Sequence, residues 1–302
     1  MNTSIDPSTD RFLASLSQIQ SRAERAQRQL SSGKRVNSPS DGADEISVIL
    51  QSRLEVSRIT QLKTNLGRVK TEVDSAEQVV GLALTVLDRA KILGSEGSGV
   101  AMTPETRRGI ASEVKSLLDQ LVGIARTQVD GRYIFSGDSD QVPPYAVDLT
   151  QPKGVSAYAG SAATRQTEHP SGTLFPIAST AQQIFDDPNP AKNVFGTINA
   201  IRVALENNDT NALSIAQANL NTSFDKLNSS QSFYGTIQNQ VTEATDYASR
   251  QEVRVRTQLS QVEDADIAAA ISEFQQAQLQ QQTALTSRAQ KLRTTLFDYL
   301  FK

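Results

Sequence analysis

The reactive chemistry open to this chain is narrow. A single histidine, His169, sits in Glu168-His169-Pro170, and the chain has no cysteine, so nothing completes a zinc site and no thiolate nucleophile exists. A structural place in a Pro-rich segment is the simpler reading of that ring. Glu263, Asp264 and Asp266 lie close enough to suggest a hard cation, but the loop of alternating oxygen ligands that calcium needs is missing. Three carboxylates just ahead of an apolar-periodic stretch read instead as favourable charges at a helix N-terminus. Lys34-Arg35 and Arg107-Arg108 have acidic neighbours and no interleaved aromatics, so they read as solvated faces and not as a track for single-stranded nucleic acid. Gly131-Arg132-Tyr133-Ile134-Phe135-Ser136-Gly137 lacks both the Lys-Ser/Thr of a phosphate loop and dinucleotide spacing, and reads as a tight domain junction. The sequence thus predicts no catalytic residue, no cofactor and no metal.

Bulk composition narrows the partners. With 30 Lys plus Arg against 33 Asp plus Glu, the net charge of −3 supplies no basic field for nucleic acid or an anionic membrane. No apolar run reaches the length of a membrane span, and the first residues lack the continuous apolar stretch of a Sec signal. At 302 residues and 38% hydrophobic content, the chain has room for a sizeable core and more than one domain.

The elements that must position these residues are mostly long helices. Phe12, Leu16, Ile19, Ala23, Ala26 and Leu30 recur at alternating spacings of four and three, the seam of a packed helix, which stops at Ser32-Gly33. Lys34 to Gly42 collects Pro, Gly, Asn and Ser and reads as a loop. A second seam, Ile59, Leu62, Leu66, Val69, Val73, Ala76, Val80, Ala83, Leu87 and Ala90, predicts a helix from about Asp44 to Leu93, roughly 75 Å long at 1.5 Å per residue. Such a rod needs a partner along its length. Gly94, Gly97 and Gly99 are expected to end it, and Thr103-Pro104-Glu105 to cap the next helix, whose stripe is Ile110, Val114, Leu117, Leu121 and Ile124. The two should pack as an antiparallel hairpin.

After Asp130-Gly131 the texture changes: prolines cluster between Pro143 and Pro190 among Tyr133, Phe135, Tyr145, Tyr158, Phe175 and Phe185, which favours short strands and turns. A small β-rich domain is expected there, near the lower size limit for independent stability and so dependent on docking. Helical spacing resumes at Val194 and, after Asn207-Asn208-Asp209, runs to Val262. That rod should pair with the earlier one, although Ser223, Ser230, Gln251 and Gln258 interrupt its seam, so part of it is expected to be marginal or completed by a neighbouring subunit. A last helix carries Ile267, Ile271, Phe274, Leu285, Ala289, Leu292, Leu296 and Leu300 on one side, with a Gln-rich stretch from Gln275 to Gln282 suited to lateral hydrogen bonds. Both chain ends are therefore amphipathic helices that need each other or other subunits. The expected fold class is mainly α: long antiparallel helical rods or coiled coil from the N- and C-terminal segments, with a small inserted β-rich domain. The expected domains are residues 1–40 with 263–302, residues 41–131 with 192–262, and residues 132–191.

This organisation resembles bacterial flagellin and its hook-associated relatives. Leu30-Ser31-Ser32-Gly33-Lys34-Arg35-Val36-Asn37-Ser38-Pro39-Ser40-Asp41 is similar to the family's N-terminal loop, and Val262-Glu263-Asp264-Ala265-Asp266 to its C-terminal counterpart. The Gly131–Gly137 segment with Pro143-Pro144-Tyr145, Pro39 in the loop, and the short centre resemble hook–filament junction members more than filament flagellins. The resemblance implies a structural, non-enzymatic role in the flagellum, outside the cell, after export through the flagellar type III apparatus without a cleaved signal. It implies as partners further copies of the chain in a ring, the hook-side junction protein, flagellin, and an export chaperone on the C-terminal helix, with no nucleic acid and no membrane. By role, Leu16, Ile19, Leu30, Ile271, Phe274, Leu285, Leu292 and Leu296 are assigned to intersubunit packing. Ser32, Gly33, Arg35, Asn37, Pro39, Asp41, Glu263, Asp264 and Asp266 are the loop-motif residues, and Gly131, Arg132, Tyr133, Phe135 and Gly137 the domain junction. A filament-forming flagellin is the alternative; an adhesin or enzyme built on residues 132 to 190 is a third reading, which nothing in the sequence requires.

Overall fold

The computed structural model describes the backbone of residues 7–300 and side chains up to residue 290. Its elements in order are α1 (Pro7–Ser32), α2 (Ile46–Gly97), α3 (Pro104–Ala125), β1 (Gln128–Val129), β2 (Arg132–Tyr133), β3 (Gln166–Glu168), β4 (Leu174–Pro176), α4 (Ala181–Phe185), α5 (Val194–Glu206), α6 (Thr210–Glu263) and α7 (Ile267–Leu300), with one-turn 3-10 helices at Pro39–Asp41 and Pro190–Lys192. The chain forms two compact units, residues 61–249 and residues 1–60 with 250–302.

In the 61–249 unit, the seam of α2 turns inward as its spacing predicts: Leu66, Val73, Ala76, Val80, Ala83, Leu87 and Ala90 are buried. All of these but Leu66 share one core with Val114, Leu118 and Leu121 of α3, Ile198 and Ile201 of α5, and Leu220, Leu227, Tyr234, Ile237 and Val241 of α6. Starts are fixed by side chains: Thr103 Oγ1 accepts from Thr106 N at 3.2 Å with Pro104 in the first turn of α3, and Asn193 Oδ1 accepts from Gly196 N at 2.8 Å at α5. Asp209 Oδ1 accepts from Asn211 N and Ala212 N and opens α6.

Two expectations are corrected here. Gly94 does not end α2; the helix runs on through it and ends at Gly97, as expected. Both glycines are there for close approach, since a Cβ on Gly97 would lie 2.3 Å from Leu205 Cδ2 and one on Gly94 3.0 Å from Gln217 Nε2. Arg107 is not a solvated cation either: it is buried, and its guanidinium donates to Gly97 O (2.8 Å), Gly99 O (3.1 Å) and the Asn208 side chain, satisfying carbonyls left open where α2 ends. Ser223, one of the polar interruptions of α6, is fully buried and shares a 3.2 Å hydrogen bond with Thr197 Oγ1, so the chain itself supplies its partner.

The segment between β2 and α5 carries little regular structure. The strands form two antiparallel pairs only, Gln128 opposite Tyr133 and Thr167 opposite Phe175, and the rest is loop around α4. Aromatic packing holds it: Phe135 meets Phe185 at 6.1 Å and Tyr234 at 6.4 Å edge-on, Phe185 meets Phe195 at 5.6 Å, and Tyr145 meets Phe195 at 5.0 Å. The insertion has no core apart from that of the helices.

The 1–60 and 250–302 unit is built differently. Helix α1 packs along α7, and the apolar residues buried among those described are few and mostly small: Ala26, Val36, Ile49, Ile59, Ala270 and Ala277. Polar ties supplement them. Arg22 Nε donates to Glu273 at 2.5 Å and Arg22 Nη1 to Gln280 at 3.2 Å, while Arg288 donates to Thr9 Oγ1 at 2.7 Å and lies 5.5 Å from the centre of the Phe12 ring.

Candidate assembly site at the chain ends

The two loop motifs lie far apart in sequence and meet in space. Helix α1 ends because Ser32 turns its hydroxyl back to Arg28 O (2.8 Å) and Gly33 adopts φ +69°, a left-handed conformation open to glycine. The reversed chain then runs beside the α6–α7 connection. Lys34 bridges Asp264 in antiparallel register, Arg35 N donates to Glu263 O at 2.7 Å, and Ala265 N donates to Gly33 O at 2.9 Å. Arg35 also donates to Val262 O and to Glu45, each at 2.7 Å, placing a cation on the carbonyl end of α6. The Lys34 side chain pairs with Glu263 and that of Arg35 with Glu45 while each stays 43% exposed, so both cations are solvated and also have fixed partners.

The rest of the N-terminal motif is held by one carboxylate. Asp41 Oδ2 accepts from Ser38 N at 2.9 Å, Ser38 Oγ at 2.9 Å and Asn37 N at 3.2 Å, and Asn37 Nδ2 donates to Lys34 O at 2.8 Å. Desolvation would raise the Asp41 carboxyl, but the bonds from Ser38 and Asn37 outweigh it and hold the group below the usual range. Pro39 opens the 3-10 turn with Ser38 ahead of it, and Pro39 and Ser40 face outward.

The three C-terminal carboxylates have separate roles. Asp266 caps α7, accepting from Ala269 N at 3.0 Å. Asp264 accepts from Ser260 Oγ at 2.5 Å. Glu263 is the last residue of α6, with only 4% of its side chain exposed, and its carboxylate pairs with Lys34 and Arg53. Of the three, Asp266 does what a helix start requires, and Glu263 does something the linear sequence did not suggest. Hydrogen bonding from Arg53, ahead of the opposing effect of burial, holds the Glu263 carboxyl below its ordinary range. Arg53 was missed because nothing in local spacing links it to residue 263. Among the described residues no group of three or more acidic or imidazole side chains is placed to hold a metal, and His169 stacks on Tyr247 at 5.4 Å with Nδ1 2.7 Å from Ser171 Oγ.

The packing residues divide between two environments. Leu16, Ile19, Leu30 and Phe274 are half-buried where α1 and α7 pack, whereas Ile271 and Leu285 are exposed, as are Leu13, Ile267 and Leu279 beside them. The side chains of Leu292 and Leu296 lie outside the described residues. At the junction, Asp130 and Gly131 both adopt positive φ, +51° and +75°, and close the β1–β2 hairpin as a tight turn of the favoured hand. Phe135 is fully buried, Tyr133 N donates to Asp140 O at 2.8 Å, and Arg132 remains exposed, 3.6 Å from Asp140. Gly137 takes φ +62° with Ser161 O and Ala163 O so close that a Cβ would lie 2.3 and 2.6 Å from them.

Residues 8–140 match the bacterial flagellin N-terminal helical region, and residues 217–300 match the bacterial flagellin C-terminal helical region. The flagellar hook-associated protein 3 of Escherichia coli is 26% identical over 282 residues, 85% of either chain, and that of Salmonella typhimurium is 26% identical over 273 residues, 83% of this chain and 85% of the relative. Flagellin B of Helicobacter pylori matches at 27% over 109 residues, 36% of this chain and 21% of its own. Among solved structures, a putative flagellar hook-associated protein from Vibrio parahaemolyticus superposes with a TM-score of 0.67 at 20% identity, over 74% of this chain and all of that one. The flagellar hook-associated protein-3 from Legionella pneumophila superposes with a TM-score of 0.61 at 14% identity, over 71% of this chain and 98% of that one.

Proposed function

We propose a place for this chain on one premise: it belongs to the bacterial flagellin family, whose two helical regions it matches at both ends. Within that family it is a hook-associated structural subunit that joins hook to filament. The observation that carries this is extent. The hook-associated relatives align over most of their length and of this chain, while the Helicobacter flagellin aligns over about a fifth of its own. A short insertion sharing the core of the helices suits a spacer in an axial ring.

In this reading the chain catalyses no reaction. Its partners are further copies of itself, the hook-side junction protein, flagellin, and an export chaperone on the C-terminal helix, and it reaches the flagellum outside the cell through the type III apparatus. The exposed aliphatic side chains of α7, Ile267, Ile271, Leu279 and Leu285, support contacts with other subunits, because a helix so placed leaves apolar surface in water until a neighbour covers it.

The test is electron microscopy of the purified protein seeded with hook fragments, beside a deletion strain examined for hooks and shed flagellin. Short caps on hook ends, and a strain that secretes flagellin without retaining it, are expected. Long helical filaments from the pure protein would make it a filament flagellin, and unchanged flagella in the deletion strain would overturn the reading.

A further inference from the structure

The connection between α1 and α2 and the connection between α6 and α7 are fastened to each other almost wholly by polar groups. Backbone contributes the Lys34–Asp264 bridge with the Arg35 N–Glu263 O and Ala265 N–Gly33 O bonds. Side chains contribute one carboxylate, Glu263, between Lys34 of the first connection and Arg53 of α2, with Arg53 Nε also 3.4 Å from Oε2. The apolar filling close by in sequence is Val36 and Ile49. We infer that Glu263 is the positioning residue of the chain ends: an ionic latch that fastens the two terminal connections and so keeps α1 and α7 ordered as a pair.

The argument rests on where the charge sits. A carboxylate removed from water costs free energy unless cations and donors surround it, and here both cations reach in from partly exposed positions while the anion is covered. Loss of the anion's charge leaves Lys34 and Arg53 crowded together without their shared partner. Loss of either cation leaves the covered anion with one partner. Neither Asp264 nor Asp266 can substitute, since both are exposed and are engaged with Ser260 Oγ and the α7 N-terminus respectively. Among the described residues of this unit few large apolar side chains are buried, so polar ties such as this one contribute to its order.

Three features make the role distinct from ordinary packing. It depends on charge sign and not on volume. It acts on segments distant in sequence from Glu263, namely α1 and α7. It leaves the core of residues 61–249 untouched.

The experiment is amide hydrogen exchange on the full chain, comparing wild type with Glu263→Gln, with Asp264→Asn, and with Arg53→Gln. Glu263→Gln is expected to speed exchange about 10-fold or more across residues 33–37, 262–266, α1 and α7, with residues 61–249 unchanged. Asp264→Asn is expected to leave α1 and α7 as they are, and Arg53→Gln to speed exchange in the same segments as Glu263→Gln. Unchanged α1 and α7 in Glu263→Gln would overturn the inference. So would equal loosening of residues 61–249, or full protection in Arg53→Gln while Glu263→Gln loses it. Exchange requires no flagellar partner, so the latch is tested even if the junction reading fails on hooks.

Discussion

The two units of this chain are held together by different means. Residues 61–249 bury Tyr145, Tyr234, Phe135, Phe185, Phe195, Leu87 and Leu118 completely, and the loops of the insertion are carried on the same core as the helices. Residues 1–60 and 250–302 bury alanines and a few aliphatics, tie themselves with Arg22, Arg35 and Glu263, and leave Leu13, Leu54, Val253, Ile271 and Leu279 in water. The first unit closes a large aromatic and aliphatic core within one chain, although Leu82, Ile92, Val100 and Ile215 stay exposed. The second unit leans on polar ties, half-buries Leu16, Ile19, Leu30 and Phe274, and leaves other aliphatics in water, which supports the proposed cover by neighbours.

The most forceful way to break this contrast is to hollow the first unit. Phe185→Ala removes a ring packed against Phe135 and Phe195 and should cost about 3–5 kcal/mol in urea unfolding, with loss of cooperativity across residues 61–249. A cost below 1 kcal/mol, about that of a surface change, would deny the insertion its place in the core. Gly137→Ala tests the same unit through the backbone. At φ +62° with two carbonyls in the way of a Cβ, alanine should cost about 1–3 kcal/mol, read as a lowered Tm, whereas Gly67→Ala, where a Cβ meets nothing within 4 Å on a helix, should be neutral or stabilising.

Acid sharpens the comparison at particular carboxyls: Asp148 and Asp187 of residues 61–249 are held low by local hydrogen bonds like those of the ends, and Glu72 behaves oppositely. Glu263 and Glu273 are held low by hydrogen bonds from Arg53 and Arg22, and Asp41 by those of Ser38 and Asn37 against desolvation. A depressed carboxyl stabilises above its unfolded value, about pH 4, and that stabilisation is lost as pH falls through the depressed native value. In the other unit Glu72 is pushed up by burial despite its 2.9 Å bond from Arg165 Nη1. Its native state binds the proton more readily than the unfolded chain, so its local contribution improves as pH falls through the raised value. Exchange measured from pH 6 downward should therefore show the segments around Glu263 and Asp41 loosening before those that flank Glu72. The reverse order would contradict the carboxylate pairing of the ends.

How much of this was legible in the sequence follows from the range of each interaction. The α2 seam, the Thr103 cap and the Asp130-Gly131 turn depend on residues a few positions apart, and the one-dimensional pattern carries them. Sequence marks Gly97 as a helix end, which it is, but cannot show Leu205 pressed against it. Arg107 was read as solvated, and the partner of Lys34 went unseen, because Asn208 and Glu263 lie about a hundred or more positions away. The loop motifs were found through resemblance, and their meeting in space was not visible from either alone. The buried carboxylate at Glu263 was mistaken for a helix-start charge because Asp266, three residues on, fits that description and performs it.

The smallest effect on the monomer is the most informative about the ends. Ile271 is 43% exposed on α7, so Ile271→Asp removes little buried area and should change monomer stability by no more than about 0.5 kcal/mol, with the exchange pattern of α1 preserved. If neighbours cover that face, however, the same substitution buries a charge without a partner in every subunit contact of the ring, and seeded assembly on hooks should be lost. The pairing of a silent monomer with a failed assembly is what separates an interface residue from a core residue. A monomer that unfolds would place Ile271 in the packing of its own chain, and intact assembly would leave the outward stripe of α7 facing water in the finished structure.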